Sequence, residues 1–374
     1  MDEARLLDTF LDLVRTDAPS GHEAAAARYC IDVLQSCGCS VAVDDAGSAI
    51  GSDTGNVYAE LPGTAAGSLV MTAHLDCVQP CEGVKPQVAD GVIRSDGTTV
   101  LGADDKVGVA AILEAVRTLS EGDVPHATVK VIFSIQEELG CLGAGKLGVG
   151  HFEAGEPCYV FDGEGAPGNV CLAAPYHYTF EATFAGKASH AGVAPEKGIS
   201  AIEIASAAIA TMRERGLLGA VGPYCAANIG TIAGGSATNV VAESCCISGE
   251  CRAIEQAAVE RVRAGMDACM HEAAAARAAS VDVAWNLEYQ GFCLDESARA
   301  VVLFARAARA CGLPFAVEKS AGGTDANRYV TFGLEPVVVS TGMANFHSVD
   351  EYLRVADLQD TARLAVQLAY EAAC

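Results

Sequence analysis

The chain has 374 residues, 51% of them apolar, and a formal net charge of −24. That length suits one large domain or two, with ample material for a core. The acidic balance excludes a nucleic-acid partner, whose phosphates would need Lys and Arg, and no apolar run is long and unbroken enough to span a membrane.

Met1-Asp2-Glu3-Ala4-Arg5 leads into an amphipathic helix pattern rather than the apolar region of a secretory signal, so a cytoplasmic chain is expected. The 16 cysteines are scattered, many in apolar runs, and read as reduced core thiols. Cys37/Cys39 and Cys77/Cys81 lack the paired spacing of a zinc finger and read as structural.

Residues 4–16 and 22–38 carry helical apolar spacing, with Ser20 near the start of the second helix. A short strand over Leu69–Ala73 and a candidate strand over Val92–Arg94 follow. Then come a helix over Val107–Leu119, a strand over Val129–Ile135, a helix over Glu138–Leu147 and a strand over Cys158–Phe161. This alternation points to an α/β sheet with its chemistry at the strand ends. The texture changes near residue 172. Strand Tyr178–Phe184, helix Ile199–Met212, strands Ala226–Ile232 and Cys245–Ala253, a long Ala-rich helix over 254–278 and strand Ser280–Leu287 give a β-α-β-β-α-β order. That order fits a small α+β domain of the split βαβ type. From about 290 the α/β pattern returns: helix 296–310, strand Phe315–Glu318, helix 325–331, strand Pro336–Ser340 and helix 356–371. One α/β domain, residues 1–172 and 288–374, is therefore interrupted by an insertion over 173–287.

Five places put acid or imidazole at strand ends or in loops. Ala73-His74-Leu75-Asp76 follows an apolar strand, and extended backbone turns His74 and Asp76 to one side. Leu101-Gly102-Ala103-Asp104-Asp105-Lys106 precedes a helix. Glu137 and Glu138 stand together directly after an apolar run. Phe161-Asp162-Gly163 ends a strand, and Asn345-Phe346-His347-Ser348 follows one. Taken singly, these are ordinary turns, helix caps and structural histidines. As a set, two imidazoles and several carboxylates at sheet edges make a two-metal site chemically plausible. Oxygen and nitrogen donors suit zinc, cobalt or manganese. One glutamate would bind metal and its neighbour would move protons, a division that points to metal-assisted hydrolysis.

The order His-x-Asp, Gly-Ala-Asp-Asp-Lys, Glu-Glu, Asp-Gly and a late His resembles the M20 metallopeptidases, di-zinc hydrolases of the carboxypeptidase G2, succinyl-diaminopimelate desuccinylase and peptidase T kind. Gly102-Ala103-Asp104-Asp105-Lys106-Val107-Gly108 and Ser189-His190-Ala191-Gly192-Val193-Ala194-Pro195-Glu196-Lys197-Gly198-Ile199 are most similar to the peptidase T-like branch. The resemblance implies a zinc-peptidase mixed sheet with helices on both faces, and a ferredoxin-like insertion acting as lid and dimerisation domain. It implies two divalent ions, foremost Zn²⁺, with Co²⁺ or Mn²⁺ as alternatives. By position, His74, Asp104 and Asp162 would hold one ion and Asp104, Glu138 and His347 the other, with Asp104 shared. Asp76 would orient His74, and Glu137 would be the general base, taking a proton from a water held by both ions to leave the attacking hydroxide and passing that proton to the leaving amine. The Asp104–Asp105 peptide would be cis. His190, reaching a partner's active site, would help stabilise the oxyanion; Asn239, Arg252, Gly323 and Thr324 match substrate-binding positions. The implied reaction is amide hydrolysis in a short peptide, tripeptidase- or aminopeptidase-like, with N-acyl amino acid deacylation by the same site as the alternative. One departure stands next to the site. Cys77 occupies the position where many relatives carry Thr, and strand alternation turns it into the sheet.

Overall fold

The computed structural model describes residues 1–148 and 152–373, and the chain divides into two compact units. The first comprises Met1–Leu172, Leu294–Lys319 and Thr324–Cys374; the second comprises Ala173–Cys293 and Ser320–Gly323.

An eight-stranded mixed sheet organises the first unit. Its order is Ser40–Val43, Val57–Leu61, Thr128–Ser134, Ser68–His74, Pro157–Gly163, Glu335–Ser340, Asn169–Cys171 and Ala316–Glu318. The four strands from Thr128–Ser134 to Glu335–Ser340 are mutually parallel, so His74, Ser134, Gly163 and Ser340 finish at one edge. Parallel strands need cover on both faces, and Leu69 through His74 are buried without alternation. Helix Ala103–Glu121 packs on Ser68–His74 and Pro157–Gly163 and against helix Val355–Glu371. At Gly108 that helix comes so close to the sheet that an added Cβ would lie 2.4 Å from the Phe161 carbonyl oxygen. A side sheet of Gln87–Ala89, Val92–Arg94 and Tyr352–Arg354 ties the segment after residue 340 to the loop before the helix.

The second unit has a five-stranded antiparallel sheet, ordered Gly219–Gly222, Cys225–Gly234, Ser244–Ala253, Tyr176–Ala185 and Ser280–Tyr289. Helices Ala201–Glu214 and Gln256–Ala275 pack on it and on each other. Phe180, Ala182 and Phe184 alternate into its core with Ile247, Val262 and Met266, the period-two signal that marked the strand. Its four long strands have the order of a split βαβ sheet. No disulfide joins the described cysteines, and no described helix is long and apolar enough to cross a membrane.

The helix expected over Glu138–Leu147 does not form. The segment is a series of turns with one 3₁₀ turn at Ala144–Lys146. Three glycines explain this. Gly140 has φ +103°, and at Gly143 a Cβ would fall 2.2 Å from the Ile135 carbonyl oxygen. Gly145 adds to the backbone entropy a helix would have to overcome. Two strands without a strong pattern, Ser40–Val43 and Val57–Leu61, were not expected and extend the sheet antiparallel at one edge.

Candidate active site

The ends of the parallel strands bring the predicted acids and imidazoles of the first unit into one cluster. His74 is 2% exposed. Its Nδ1 lies 3.0 Å from the Asp76 backbone oxygen. A carbonyl can only accept, so this nitrogen carries the proton and a neutral ring presents a bare lone pair at Nε2. Nε2 faces Asp104 Oδ1 at 3.0 Å and Asp162 Oδ1 at 3.7 Å. The second carboxylate oxygen of Asp104, Oδ2, is 3.2 Å from His347 Nε2, which is also 3.0 Å from Glu138 Oε1. Asp104 thus offers one oxygen to each imidazole, with Asp162 on the His74 side and Glu138 on the His347 side.

Local backbone sets these directions. Helix Ala103–Glu121 has non-helical angles at Asp104 and Asp105, and the peptide between them is cis. Asp105 is fully buried, and both its oxygens are engaged: Oδ2 accepts the His74 N–H at 3.1 Å and Oδ1 the Gly108 N–H at 3.2 Å. It is therefore an anchor between strand and helix, while Asp104 faces the imidazoles. Glu351 holds the same loop, accepting the Gly102 N–H at 2.7 Å and the Asp104 N–H at 3.0 Å. His347 sits at φ +60° in a turn.

Asp76 has a larger part than sequence reasoning gave it. Its Oδ1 is 3.4 Å from His74 Nδ1, and the same carboxylate accepts the backbone N–H of Glu137 (2.9 Å) and of Glu138 (3.3 Å) and the Ser20 hydroxyl (2.6 Å). The turn before the glutamates, with Gln136 at φ +50°, is pinned by the buried Glu23, which accepts the Gln136 N–H at 3.1 Å. Among the described hydrogen bonds, the Glu137 carboxylate meets no imidazole; it accepts from the Cys141 thiol at 3.4 Å. Cys77 points inward, its thiol donating to the Asp104 carbonyl at 3.4 Å.

The charge balance shows what the cluster lacks. Burial pushes Asp162 up to about 7, and the nearby charges of Asp104 and Glu138 add to it. Burial, then Asp162, also raises Glu137 and Asp105 well above the ordinary carboxylate range. Asp104 resists burial because His347 and His74 hold its carboxyl low. His347 is raised to about 10 by Asp104 and Glu138. Burial alone would lower His74, but Asp104, Asp162 and Asp76 raise it well above 6.5. Protons are thus retained where cations would neutralise the same carboxylates. Lys106, the lysine of the predicted motif, does not supply the charge: its Nζ donates to the Thr16 carbonyl at 3.0 Å. Ligand atoms of His74, Asp104 and Glu138 lie within 4.8 Å of one another, as do those of His74, Asp105 and Asp162. Two imidazole nitrogens and several carboxylate oxygens around such a space suit divalent cations of the zinc, cobalt and manganese kind.

The remaining predicted residues are placed as follows. His190 is exposed in the second unit and forms a bridge with Val240, while Ala191 donates its N–H to the Asn239 carbonyl at 2.9 Å. The His190 Nδ1 accepts the Gly192 N–H at 3.2 Å, so a neutral ring carries its proton on Nε2. Arg252 donates to Glu250 Oε2 at 2.6 Å and lies 3.3 Å from His177 Nε2, with its own Nε buried and without a partner. Gly323, also in the second unit, leaves no room for a Cβ, which would fall 2.5 Å from the Tyr289 hydroxyl. Thr324, in the first unit, donates its N–H to Asn327 Oδ1 and caps the Ala326 N–H with its hydroxyl.

A large mixed sheet with a carboxylate–imidazole cluster at its parallel strand ends defines a metallohydrolase of the α/β class. Residues 70–371 match the model of peptidase family M20/M25/M40. The uncharacterized protein YqjE of Bacillus subtilis (strain 168) is 37% identical over the full length of both chains. The structure is similar to that of the aminopeptidase PepT from Bacillus cereus ATCC 10987, with a TM-score of 0.94 and 36% identity over 100% of each chain. It is also similar to a tripeptidase from Staphylococcus aureus subsp. aureus Mu50, with a TM-score of 0.93 and 32% identity over 100% of this chain and 99% of that one. The chain belongs to peptidase family M20/M25/M40, as a hydrolase of its peptidase T-like branch.

Proposed function

We propose that this protein is a two-metal peptidase that removes the N-terminal residue from short peptides, tripeptides foremost. One observation carries the reading. Asp104 turns its two oxygens to two different imidazole nitrogens, each flanked by a further carboxylate, and Glu137 stands beside them outside that set. The similarity to an aminopeptidase PepT and a tripeptidase over the full chain supports the substrate class.

His74, Asp104 and Asp162 would hold one cation and Asp104, Glu138 and His347 the other, with Zn²⁺ as the first choice and Co²⁺ or Mn²⁺ as alternatives. The bound ions would supply Lewis acidity toward the scissile carbonyl and make water acidic enough to be deprotonated near neutral pH. Glu137 takes the proton of the attacking water and delivers it to the departing amine. Its carboxyl is raised by burial and by the charges of Asp162, Asp325 and Glu138. Neutralising Asp162 and Glu138 removes part of that repulsion and brings the base toward its working range. Asp76 keeps His74 in the tautomer that presents Nε2. Residues 173–287 act as lid and dimerisation domain, and His190 of each subunit donates its Nε2–H to the oxyanion formed in the other. Asn239, Arg252, Gly323 and Thr324 bind the substrate's carboxylate and carbonyl groups; the unpartnered Nε of Arg252 is a spare donor for that task.

Glu137→Gln tests the mechanism. The variant binds two metal equivalents and loses about 10²–10⁴-fold in kcat, the range for a general base; wild-type turnover with both metals bound overturns the assignment. A panel of tripeptides, dipeptides and N-acyl amino acids separates the substrate readings. A required free α-amine supports the aminopeptidase. Equal turnover of N-acyl amino acids transfers the site to deacylation.

A further inference from the structure

A second group of donors lies behind Glu137. Glu137, Cys141 and Asp325 each offer one ligand atom, and the three atoms are within 4.8 Å of one another. Cys141 and Asp325 are each 2% exposed. Asp325 Oδ2 accepts the Ser134 hydroxyl and the Tyr329 hydroxyl, whereas Oδ1 is buried with no hydrogen-bond partner. A buried carboxylate oxygen that no protein donor meets is costly and is open to a cation. Arg328, whose charge reaches Cys141, does not fill it: its Nη2 donates to the Gly140 carbonyl at 3.1 Å. Among the described residues, no ion pair joins Arg328 to any of the three. The left-handed turn at Cys141, φ +57°, carries its thiol to the Glu137 carboxylate. One sulfur with two carboxylates differs in kind from the all-nitrogen-and-oxygen cluster around Asp104. Sulfur selects zinc or cadmium over magnesium and calcium.

We propose that Glu137, Cys141 and Asp325 form a third cation site, which takes a thiophilic divalent ion such as Zn²⁺ or Cd²⁺ in excess and, by engaging the Glu137 carboxylate, stops hydrolysis. The Cys141 thiol gives its proton to solvent and its sulfur lone pair to the ion. No redox change occurs, and removing the ion restores the thiol. The site's existence is independent of the proposed mechanism; its inhibitory effect rests on Glu137 being the base.

The test titrates the zinc-loaded enzyme with Cd²⁺, following the ultraviolet thiolate-to-cadmium charge-transfer band together with hydrolysis of the best peptide from the panel. Each protein's rate is taken relative to its own rate without cadmium. Cadmium exchanging into the His and carboxylate cluster gives no thiolate band, and the other cysteines, exposed Cys293 among them, contribute alike in wild type and Cys141→Ser, so the difference between the two bands reports the third site. The expected result is a saturable band in the wild type that Cys141→Ser lowers by the share of one thiolate site. In both Cys141→Ser and Asp325→Asn, the half-inhibitory Cd²⁺ concentration rises by at least about tenfold, the scale of a lost metal contact. A band of equal size in Cys141→Ser, or inhibition at the same Cd²⁺ concentration in wild type and both variants, overturns the proposal. A Cys141-dependent band with undiminished hydrolysis overturns the inhibitory role. The cadmium-free rate of Glu137→Gln then separates the two possible faults: a near-normal rate removes the base assignment, and a low rate removes only the blocking effect.

Discussion

Replacing Glu351 by Gln tests whether the placement of Asp104 depends on its own backbone. Glu351 is 1% exposed, and its two oxygens accept the Gly102 N–H at 2.7 Å and the Asp104 N–H at 3.0 Å. A carboxylate can serve two donors; the Gln amide offers one oxygen and one NH₂. One of the two backbone donors then loses its partner and faces another donor in a buried place. An unmet buried donor costs about 1–3 kcal/mol. A unit of this size loses roughly 2–4 °C of Tm per kcal/mol, so the metal-free variant melts about 2–12 °C below the wild type. The larger functional effect falls on metal. Asp104 turns one oxygen to each imidazole, so a small rotation of its backbone disturbs both sides of the cluster at once. Loss of a group that orients a ligand costs about 10–100-fold in metal affinity. Competition against a chelator of known affinity measures it, with calorimetry of the metal-free protein run alongside. Glu351→Ala is less informative, because two unmet donors at about 1–3 kcal/mol each approach a large share of a typical total stability of about 5–15 kcal/mol. A Gln variant that binds both metal equivalents as tightly as the wild type would show that the loop holds Asp104 without this clamp.

Three further outcomes are expected. Asp76→Asn removes one of the two oxygens that accept the Glu137 N–H, the Glu138 N–H and the Ser20 hydroxyl, so kcat falls about 10–100-fold while KM for a tripeptide stays within a factor of about three; a KM effect without a kcat effect would place Asp76 at substrate instead. Gly108→Ala drives a Cβ to 2.4 Å from the Phe161 carbonyl oxygen and 2.6 Å from Asp105 Oδ1; the overpacking costs about 1–3 kcal/mol in denaturant unfolding, and an unchanged midpoint would mean that helix and strand separate freely. Chelation gives the third. Asp162 rises from 3.8 to about 7 and Asp325 from 3.8 to about 6 in the folded chain, chiefly by burial. The unfolded chain therefore releases these protons first, and metal-free stability falls as pH climbs from about 4 to about 7. The Tm gap between loaded and chelated enzyme widens across that window, and a gap independent of pH would contradict the proposed charge balance.

The alternation of helices and strands, and the insertion with its split βαβ order, were legible because apolar periodicity survives in single elements. Leu69–Ala73 and Val129–Ile135 read as buried strands, and Tyr178–Phe184 alternated into the second core. The segment after Glu138 misled because its apolar spacing resembles a helix, while Gly140, Gly143 and Gly145 carry the opposite instruction. The acids and imidazoles of the cluster stood out only as a set, and the resemblance gave them their roles, but their supports carried no signal. Asp105, adjacent to Asp104 and given no role by the resemblance, shows its part only where its two oxygens accept the backbone N–H groups of His74 and Gly108. Glu351, four residues after His347, and Asp325, just after Thr324, stood beside predicted positions without a signal of their own. Their roles depend on strand Tyr352–Arg354 pairing with Val92–Arg94 and on Asp325 meeting Ser134, contacts across more than 190 residues.

The different tasks proposed for Glu137 and Glu138 follow from the backbone, because the two side chains are chemically the same. Gln136 takes φ +50° under the hold of Glu23, and Asp76 then fixes both glutamate N–H groups with one carboxylate. From that turn the Glu138 side chain reaches His347, and the Glu137 side chain reaches Cys141. An ordinary helix start would place the two neighbouring side chains about 100° apart on one helix surface. The glycines after Glu138 prevent that helix, so they help create the division proposed between metal ligand and base. A substitution that restored helix there, such as alanine at Gly140 and Gly143 together, would disturb the cluster without touching a ligand.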